Sequence, residues 1–100
     1  MLHHVVTFTW KPATGDAQIR HLCDGLAALA TEIDVIESYL FGPDVALAEG
    51  NCDFALVAGF RDEAAYRTYT VHPAHRRLIA ERIAPILATR TAVQFISTEG

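Results

Sequence analysis

The sequence predicts an α+β fold of the ferredoxin-like type, in which two helical regions cover one face of a four-stranded antiparallel sheet. Segments rich in β-branched and aromatic residues alternate with segments of helical period in the order β-α-β-β-α-β. The chain has 100 residues, so we expect a single domain over residues 1–100. The third strand is apolar on both faces, so the face of the sheet without helices also needs a cover.

The first strand is predicted over residues 4–10 and the first helix over residues 16–33. Side chains alternate along a strand. One face of the first strand therefore carries His4, Val6, Phe8 and Trp10. The apolar stripe of the helix consists of Ile19, Leu22, Cys23, Leu26, Leu29, Ala30 and Ile33. Thr14 or Asp16 is expected to cap its first turn.

Three further strands are predicted from composition and turn signals. The second covers residues 35–41 and is ended by Gly42-Pro43. The third covers residues 53–60, and the last covers residues 91–97.

The second helical region lies between the third and fourth strands. It begins at residues 61–63, where the acidic side chains favour the positive end of the helix dipole, and ends near Thr70. Helix starts again at Pro73, a residue suited to the first helical position. Pro85 is expected to break it before Leu87.

The face of the sheet opposite the helices is expected to be apolar at its centre. Its predicted members on the first and third strands are Val5, Thr7, Ala55 and Val57. An exposed antiparallel face is normally polar. We therefore expect a second copy of the chain to cover this face, because two-fold dimers are the commonest assemblies.

Composition argues against several classes of function. The formal net charge is −4 with no run of Lys or Arg, so neither nucleic-acid binding nor a basic membrane-binding segment is expected. No segment has the length and apolarity of a membrane span, and the first residues do not resemble a signal peptide. Cys23 and Cys52 are predicted to be reduced thiols of a cytoplasmic protein.

His75 is the strongest candidate for chemistry among the five histidines. It lies three and four residues before Leu78 and Ile79, so it belongs to the apolar face of its helix. The helix dipole disfavours a proton on an imidazole in the first turn, and a neutral imidazole can act as a general base. Tyr69 could donate its hydroxyl to a carbonyl oxygen. In the alternative interpretation, Tyr69 and His75 form hydrogen bonds with each other or with the backbone.

His4 and His72 have less distinctive positions. His4 lies under the helices with Val6 and Phe8, and is either a hydrogen-bonded core histidine or a pocket group. His72 precedes Pro73 and is interpreted as a structural boundary residue. His72 and His75 could share an ion, but no third ligand is evident, so no bound transition metal is expected. No dinucleotide or phosphate-binding motif is present, and no cofactor is predicted.

Several segments together resemble one known family. Residues 4–12 read His-Val-Val-Thr-Phe-Thr-Trp-Lys-Pro, and residues 53–60 read Asp-Phe-Ala-Leu-Val-Ala-Gly-Phe. Residues 64–75 contain Tyr-x-x-His-Pro-x-His, from Tyr69 to His75. In this order and over nearly the whole chain, these motifs resemble the stress-responsive A/B barrel domain (Dabb) family.

The resemblance implies a subunit whose sheet packs on a partner's sheet to form a dimeric α+β barrel. One plant member of the family closes a linear polyketide by aldol condensation without a cofactor. Its base corresponds to His75, and its tyrosine and first-strand histidine correspond to Tyr69 and His4. This chain has Leu26 where that enzyme has a pocket tyrosine, and it has Phe54 where that enzyme has a histidine.

Two hypotheses for function follow. In the first, the chain is a cofactor-independent cyclase, lyase or isomerase acting on a small, mostly apolar carbonyl compound. His75 is then the base, Tyr69 stabilises the oxyanion and His4 orients the pair or binds the substrate. The expected pocket walls are Val6, Phe8, Leu22, Leu26, Leu56 and Leu78. In the second hypothesis, the chain is a non-catalytic, stress-associated dimeric domain with a binding or structural role.

Overall fold

The sheet of the computed structural model, which describes residues 1–98, has four antiparallel strands in the order β2-β3-β1-β4. The strands are β1 (Leu2–Trp10), β2 (Ser38–Pro43), β3 (Phe54–Phe60) and β4 (Leu87–Ile96). This arrangement confirms the predicted ferredoxin-like fold. The predicted domain also includes residues 99 and 100, which lie outside the described residues.

The helical layer covers one face of this sheet. It consists of α1 (Asp16–Glu32), α2 (Glu63–Val71), α3 (Pro73–Leu78) and a π-helical turn (Ile79–Ile83) that continues α3. Buried side chains from the helices and from the inner face of the sheet form one core. Its largest side chains with almost no exposure are Tyr69, Phe54, Phe60, Leu22, Leu26 and Ile33.

The helix starts differ from one sequence prediction and agree with another. The prediction that Thr14 or Asp16 caps α1 is wrong, because Gly15 occupies the N-cap without a side-chain bond. Instead, the Gly15 N–H donates to Gln18 Oε1 at 2.9 Å. His72 has the structural boundary role predicted for it, because its Nδ1 accepts from the Ala74 N–H at 3.1 Å and caps α3.

Several strand boundaries differ from the prediction, and the largest differences are in β2 and β4. β2 begins at Ser38 and includes Gly42 and Pro43. An edge strand tolerates proline because one row of its N–H groups is unpaired. β4 begins at Leu87, four residues before the predicted start, because Leu87 pairs with Trp10 across a register shift in β1. Pairing with the central strand overrides the weak local preference of the Leu-Ala-Thr-Arg segment.

The face of the sheet without helices has an apolar row across all four strands. Leu40, Val57, Val5 and Val93 are direct cross-strand neighbours. Leu40 and Val93 are 69% and 55% exposed in the single chain. We call this four-residue row the outer row.

Candidate functional site

A cavity of about 120 Å³ lies between the inner face of the sheet and the α2–α3 side of the helical layer. Cavities of roughly 150 Å³ hold a benzene molecule, so this one has the size of a single small ring. Its polar and aromatic lining residues come from five elements and are His4, Phe8, Tyr39, Tyr66, Tyr69, Thr70, His75 and Arg90.

The apolar wall of the cavity includes most of the side chains that the sequence indicates for it. Val6, Phe8, Leu26, Leu56 and Leu78 all line the cavity. Leu22 does not line it. Its side chain has no exposed surface because it lies within the core. Leu26 is one helical turn further along the same stripe and reaches the cavity.

The backbone between α2 and α3 fixes the orientation of His75. Pro73 occupies the first turn of α3, and the preceding residue, His72, caps the helix. His75 Nδ1 lies 3.3 Å from the carbonyl oxygen of Thr70. A carbonyl can only accept, so Nδ1–H donates and the neutral ring keeps its lone pair at Nε2. Burial lowers the pKa of His75, which keeps the ring neutral near pH 7.

Tyr69 is fully buried, and its hydroxyl pairs with a second tyrosine. The Tyr69 and Tyr39 hydroxyl oxygens are 2.7 Å apart. Burial raises the pKa of Tyr69 to about 12, although the hydrogen bond from Tyr39 acts in the opposite direction. Burial also raises the pKa of Tyr39, where the Tyr69 hydroxyl adds to the effect. Both phenols therefore carry their protons at neutral pH.

The rings of Tyr69 and His75 are in contact. Their centroids are 4.1 Å apart at an interplanar angle of 39°. Their polar atoms have other partners, Tyr39 and the Thr70 carbonyl. The structure therefore contradicts the alternative in which Tyr69 and His75 form a hydrogen bond with each other. His75 does form a hydrogen bond with the backbone.

His4 is buried on β1, with a proton arrangement opposite to that of His75. Its Nδ1 lies 2.8 Å from Gln94 Nε2. An amide nitrogen only donates, so His4 Nδ1 accepts and the neutral ring carries its proton at Nε2. Burial, followed by the charge of Arg90, lowers the pKa of His4 to about 4. The ring lies 5.1 Å from that of Tyr66, between centroids.

The site residues that sequence reasoning missed include Tyr39, Gln94 and Arg90. Tyr39 is on the inner face of β2, opposite Ala58. Arg90 and Gln94 alternate with Ala92 on β4, opposite inner-face residues of β1. The period-two pattern of Arg90, Ala92 and Gln94 was a usable signal, but the predicted strand began after Arg90.

Neither a metal centre nor a membrane-spanning helix is found within residues 1–98. No group of three or more His, Cys, Asp or Glu side chains in this part of the chain is placed to hold a metal ion. The described helices lack the combined length and apolarity that crossing a bilayer requires.

The sequence matches one protein-family model over almost its full length. The model is described as the stress responsive A/B barrel domain, Dabb, and it matches residues 2–97. No curated protein sequence matches the chain.

Solved structures of similar shape include one with substantial sequence identity. A dimeric ferredoxin-like protein of unknown function from Thermobifida fusca is 40% identical, with a TM-score of 0.87 over 94% of this chain and 88% of that one. A Dabb family protein from Mesorhizobium loti is 20% identical, with a TM-score of 0.80 over 96% and 95%. Hydroxynitrile lyase from Passiflora edulis is 16% identical, with a TM-score of 0.84 over 99% and 94%. The last two similarities establish the fold alone.

Proposed function

The chain belongs to the stress-responsive A/B barrel domain family, and we propose that it is a dimeric protein whose cavity binds a small, mostly apolar carbonyl compound and removes a proton from it. The observation that carries the proposal is the His75 ring. Its Nδ1–H is directed to the Thr70 carbonyl, which leaves the Nε2 lone pair in a ring that lines the cavity. The apolar wall suits the carbon skeleton of such a compound.

The proposed step is proton abstraction from a carbon next to a carbonyl group. His75 Nε2 takes the proton, and the electron pair of the broken C–H bond forms an enolate with its charge on the carbonyl oxygen. In a cyclisation, the enolate carbon attacks a second carbonyl carbon of the same molecule. The oxygen of that second carbonyl then receives the proton from His75, so the base is regenerated without a cofactor.

Tyr69 and His4 are the proposed stabilisers of the enolate oxygen. With Tyr39 as donor to the Tyr69 oxygen, the Tyr69 proton is free to point into the cavity. His4 carries its proton at Nε2, so it can donate a second hydrogen bond. Donors that are fixed before the reaction stabilise a developing oxyanion without further rearrangement.

We also propose that two copies of the chain pair through the outer row. This pairing would cover Leu40 and Val93 and convert two sheets into the dimeric barrel that the family resemblance implies. Support comes from the exposure of these side chains and from the Thermobifida fusca protein, which is described as dimeric.

The test is hydrogen–deuterium exchange at the methyl group of acetophenone, followed by proton NMR in D₂O. Wild-type protein should accelerate the exchange, and His75→Gln should lower the rate about 10²–10⁴-fold. His21→Gln is the matched control, because His21 is exposed on α1 and does not line the cavity. Bound acetophenone that does not exchange would contradict proton abstraction and favour the non-catalytic binding domain.

A further inference from the structure

Arg90 brings a positive charge to a cavity that is otherwise apolar or neutral. It lies on β4 opposite Phe8 of β1, so its side chain is on the inner face of the sheet and lines the cavity. Arg90 is also exposed, which places it where the cavity meets solvent. A ligand in the cavity would therefore meet the guanidinium group at one end.

No carboxylate within the described residues neutralises this charge. The arginine ion pairs found in residues 1–98 are Arg61 with Asp62 and Arg67 with Glu63. The lining residues include neither Asp nor Glu. Arg90 is therefore free to form an ion pair with an anionic group of a ligand.

The two histidines add no positive charge of their own. Burial is the largest cause of the lowered pKa of both His4 and His75, and the charge of Arg90 lowers both further. Both rings are therefore neutral near pH 7. The net charge of the cavity at neutral pH is that of Arg90 alone among the described lining residues.

We propose that the ligand of this cavity is a small carboxylic acid, bound with its carboxylate on Arg90 and its apolar part against the opposite wall. This inference rests on the proposed function and adds a substrate class to it. The planar guanidinium group matches a carboxylate with two parallel hydrogen bonds. A phosphate dianion fits less well, because one guanidinium group compensates only half of its charge. The cavity size limits the apolar part to about one six-membered ring.

Calorimetric titration with three probes of one ring each tests the assignment in wild-type protein. Benzoate carries the carboxylate, benzamide is its neutral counterpart of nearly equal shape, and phenyl phosphate carries the competing anion. The affinity for benzoate should exceed that for benzamide by a factor of about ten or more, as expected for a charged hydrogen-bonding pair. Benzoate should also bind more tightly than phenyl phosphate.

Two variants locate the effect. Arg90→Gln should weaken benzoate binding about tenfold and leave benzamide binding unchanged. Arg20→Gln is the matched control, since Arg20 is exposed on α1, away from the cavity, and its loss changes the net charge equally. It should leave both affinities unchanged. Thermal melts of both variants establish that each is folded.

The possible failures are distinguishable. Equal binding of benzoate and benzamide to wild type would overturn the carboxylate assignment and leave the proposed function standing. Tighter binding of phenyl phosphate would overturn the choice of carboxylate over phosphate. A preference for benzoate that survives in Arg90→Gln would overturn the role of Arg90. If no probe binds, this inference fails, and the exchange of acetophenone decides separately whether the proposed function stands.

Discussion

His4 and His75 show how one residue type obtains opposite roles from its hydrogen-bond partner. Gln94 donates to His4 Nδ1, whereas His75 Nδ1 donates to the Thr70 carbonyl. In the neutral rings, His4 therefore has a proton at Nε2 and His75 has a lone pair there. A donor and an acceptor in one cavity are what proton abstraction next to a carbonyl requires.

The lowered pKa of His4 predicts a specific pH dependence of stability. The pKa of His4 is about 4 in the folded chain, and its reference value is 6.5. Between these two pH values, His4 is mostly protonated in the unfolded chain and mostly neutral in the folded chain. The contribution is complete above the unfolded pKa and is lost as pH falls toward 4. At 1.36 kcal/mol per pKa unit, the total change is about 3 kcal/mol.

Urea unfolding at a series of pH values through this window measures the effect. In His4→Gln, stability should fall less steeply with decreasing pH than in wild type. Part of the pH dependence should remain, because the pKa of His75 is lowered as well. His21→Gln is the control, because its side chain is exposed and lies outside the cavity. An identical slope in His4→Gln and wild type would contradict the assigned burial effect. Protein concentration is held constant, since pairing also stabilises the folded state.

The hydroxyl pair of Tyr39 and Tyr69 predicts a coupled pair of substitutions. Either Tyr→Phe change leaves the other hydroxyl without its partner, which should lower stability by about 1–3 kcal/mol. One kcal/mol corresponds to roughly 4–8 °C in Tm for a domain of this size. The double variant should lose less than the sum of the single changes, because it leaves no unpaired hydroxyl.

Tyr66→Phe provides the control for these melts. Its hydroxyl has no hydrogen-bond partner within residues 1–98 although its ring lines the same cavity. Its Tm should change by no more than the equivalent of about 0.5 kcal/mol. Strictly additive losses for Tyr39 and Tyr69 would argue against their hydrogen bond. Losing His75, by contrast, leaves the Tyr69 hydroxyl paired, so a melt of His75→Ala cannot test that bond.

At the scale of elements, the sequence predicts what depends on local pattern. The order of strands and helices follows from period and composition, and the Tyr69–His75 segment identifies one side of the cavity. The start of β4 depends instead on its pairing with β1, whose residues lie about 80 positions earlier in the chain. Arg90 enters the site only through that pairing. The period-two pattern of residues 90–94 could have extended the strand to Arg90, but it could not show that the strand lies beside the cavity.

The contact of α1 with the α3 side of the layer depends on a glycine. A Cβ at Gly25 would lie 2.8 Å from Arg82 Cδ and 3.0 Å from Leu78 Cδ1. Arg82 is held there because its Nη1 donates to the His21 carbonyl at 2.5 Å. Gly25→Ala gains about 0.5–1 kcal/mol of helix propensity, but overpacking costs about 1–3 kcal/mol. We expect a net loss of stability.

Thermal melts in two backgrounds separate these contributions. In Arg82→Ala the nearest obstacle to the new methyl group is gone, so Gly25→Ala should cost less there than in wild type or become stabilising. Ala28→Gly is a useful reference, because residue 28 is exposed on the same helix and reports propensity with little packing. A higher Tm for Gly25→Ala in the wild-type background would show that helix propensity exceeds the packing conflict.

At the scale of the whole molecule, the two faces of the sheet have separate uses. The inner face and the helices enclose the cavity. The outer row lies on the other face. Pairing through the outer row would therefore cover apolar surface without occupying the cavity.

Val57→Lys tests this separation, because Val57 lies between Leu40 and Val5 at the centre of the outer row. Stable interfaces bury roughly 1,200–2,000 Å² in total, and a lysine in the outer row of each copy would oppose that burial by desolvation and like-charge repulsion. Sedimentation at micromolar concentration should give twice the chain mass for wild type and the chain mass for Val57→Lys.

Val71→Lys, at an equally apolar site that is 57% exposed at the end of α2, should remain dimeric. The monomeric variant should still bind benzoate, because the cavity and the outer row lie on opposite faces of the sheet. A wild-type monomer would contradict the barrel, and loss of benzoate binding in a folded Val57→Lys monomer would show that the two faces are coupled.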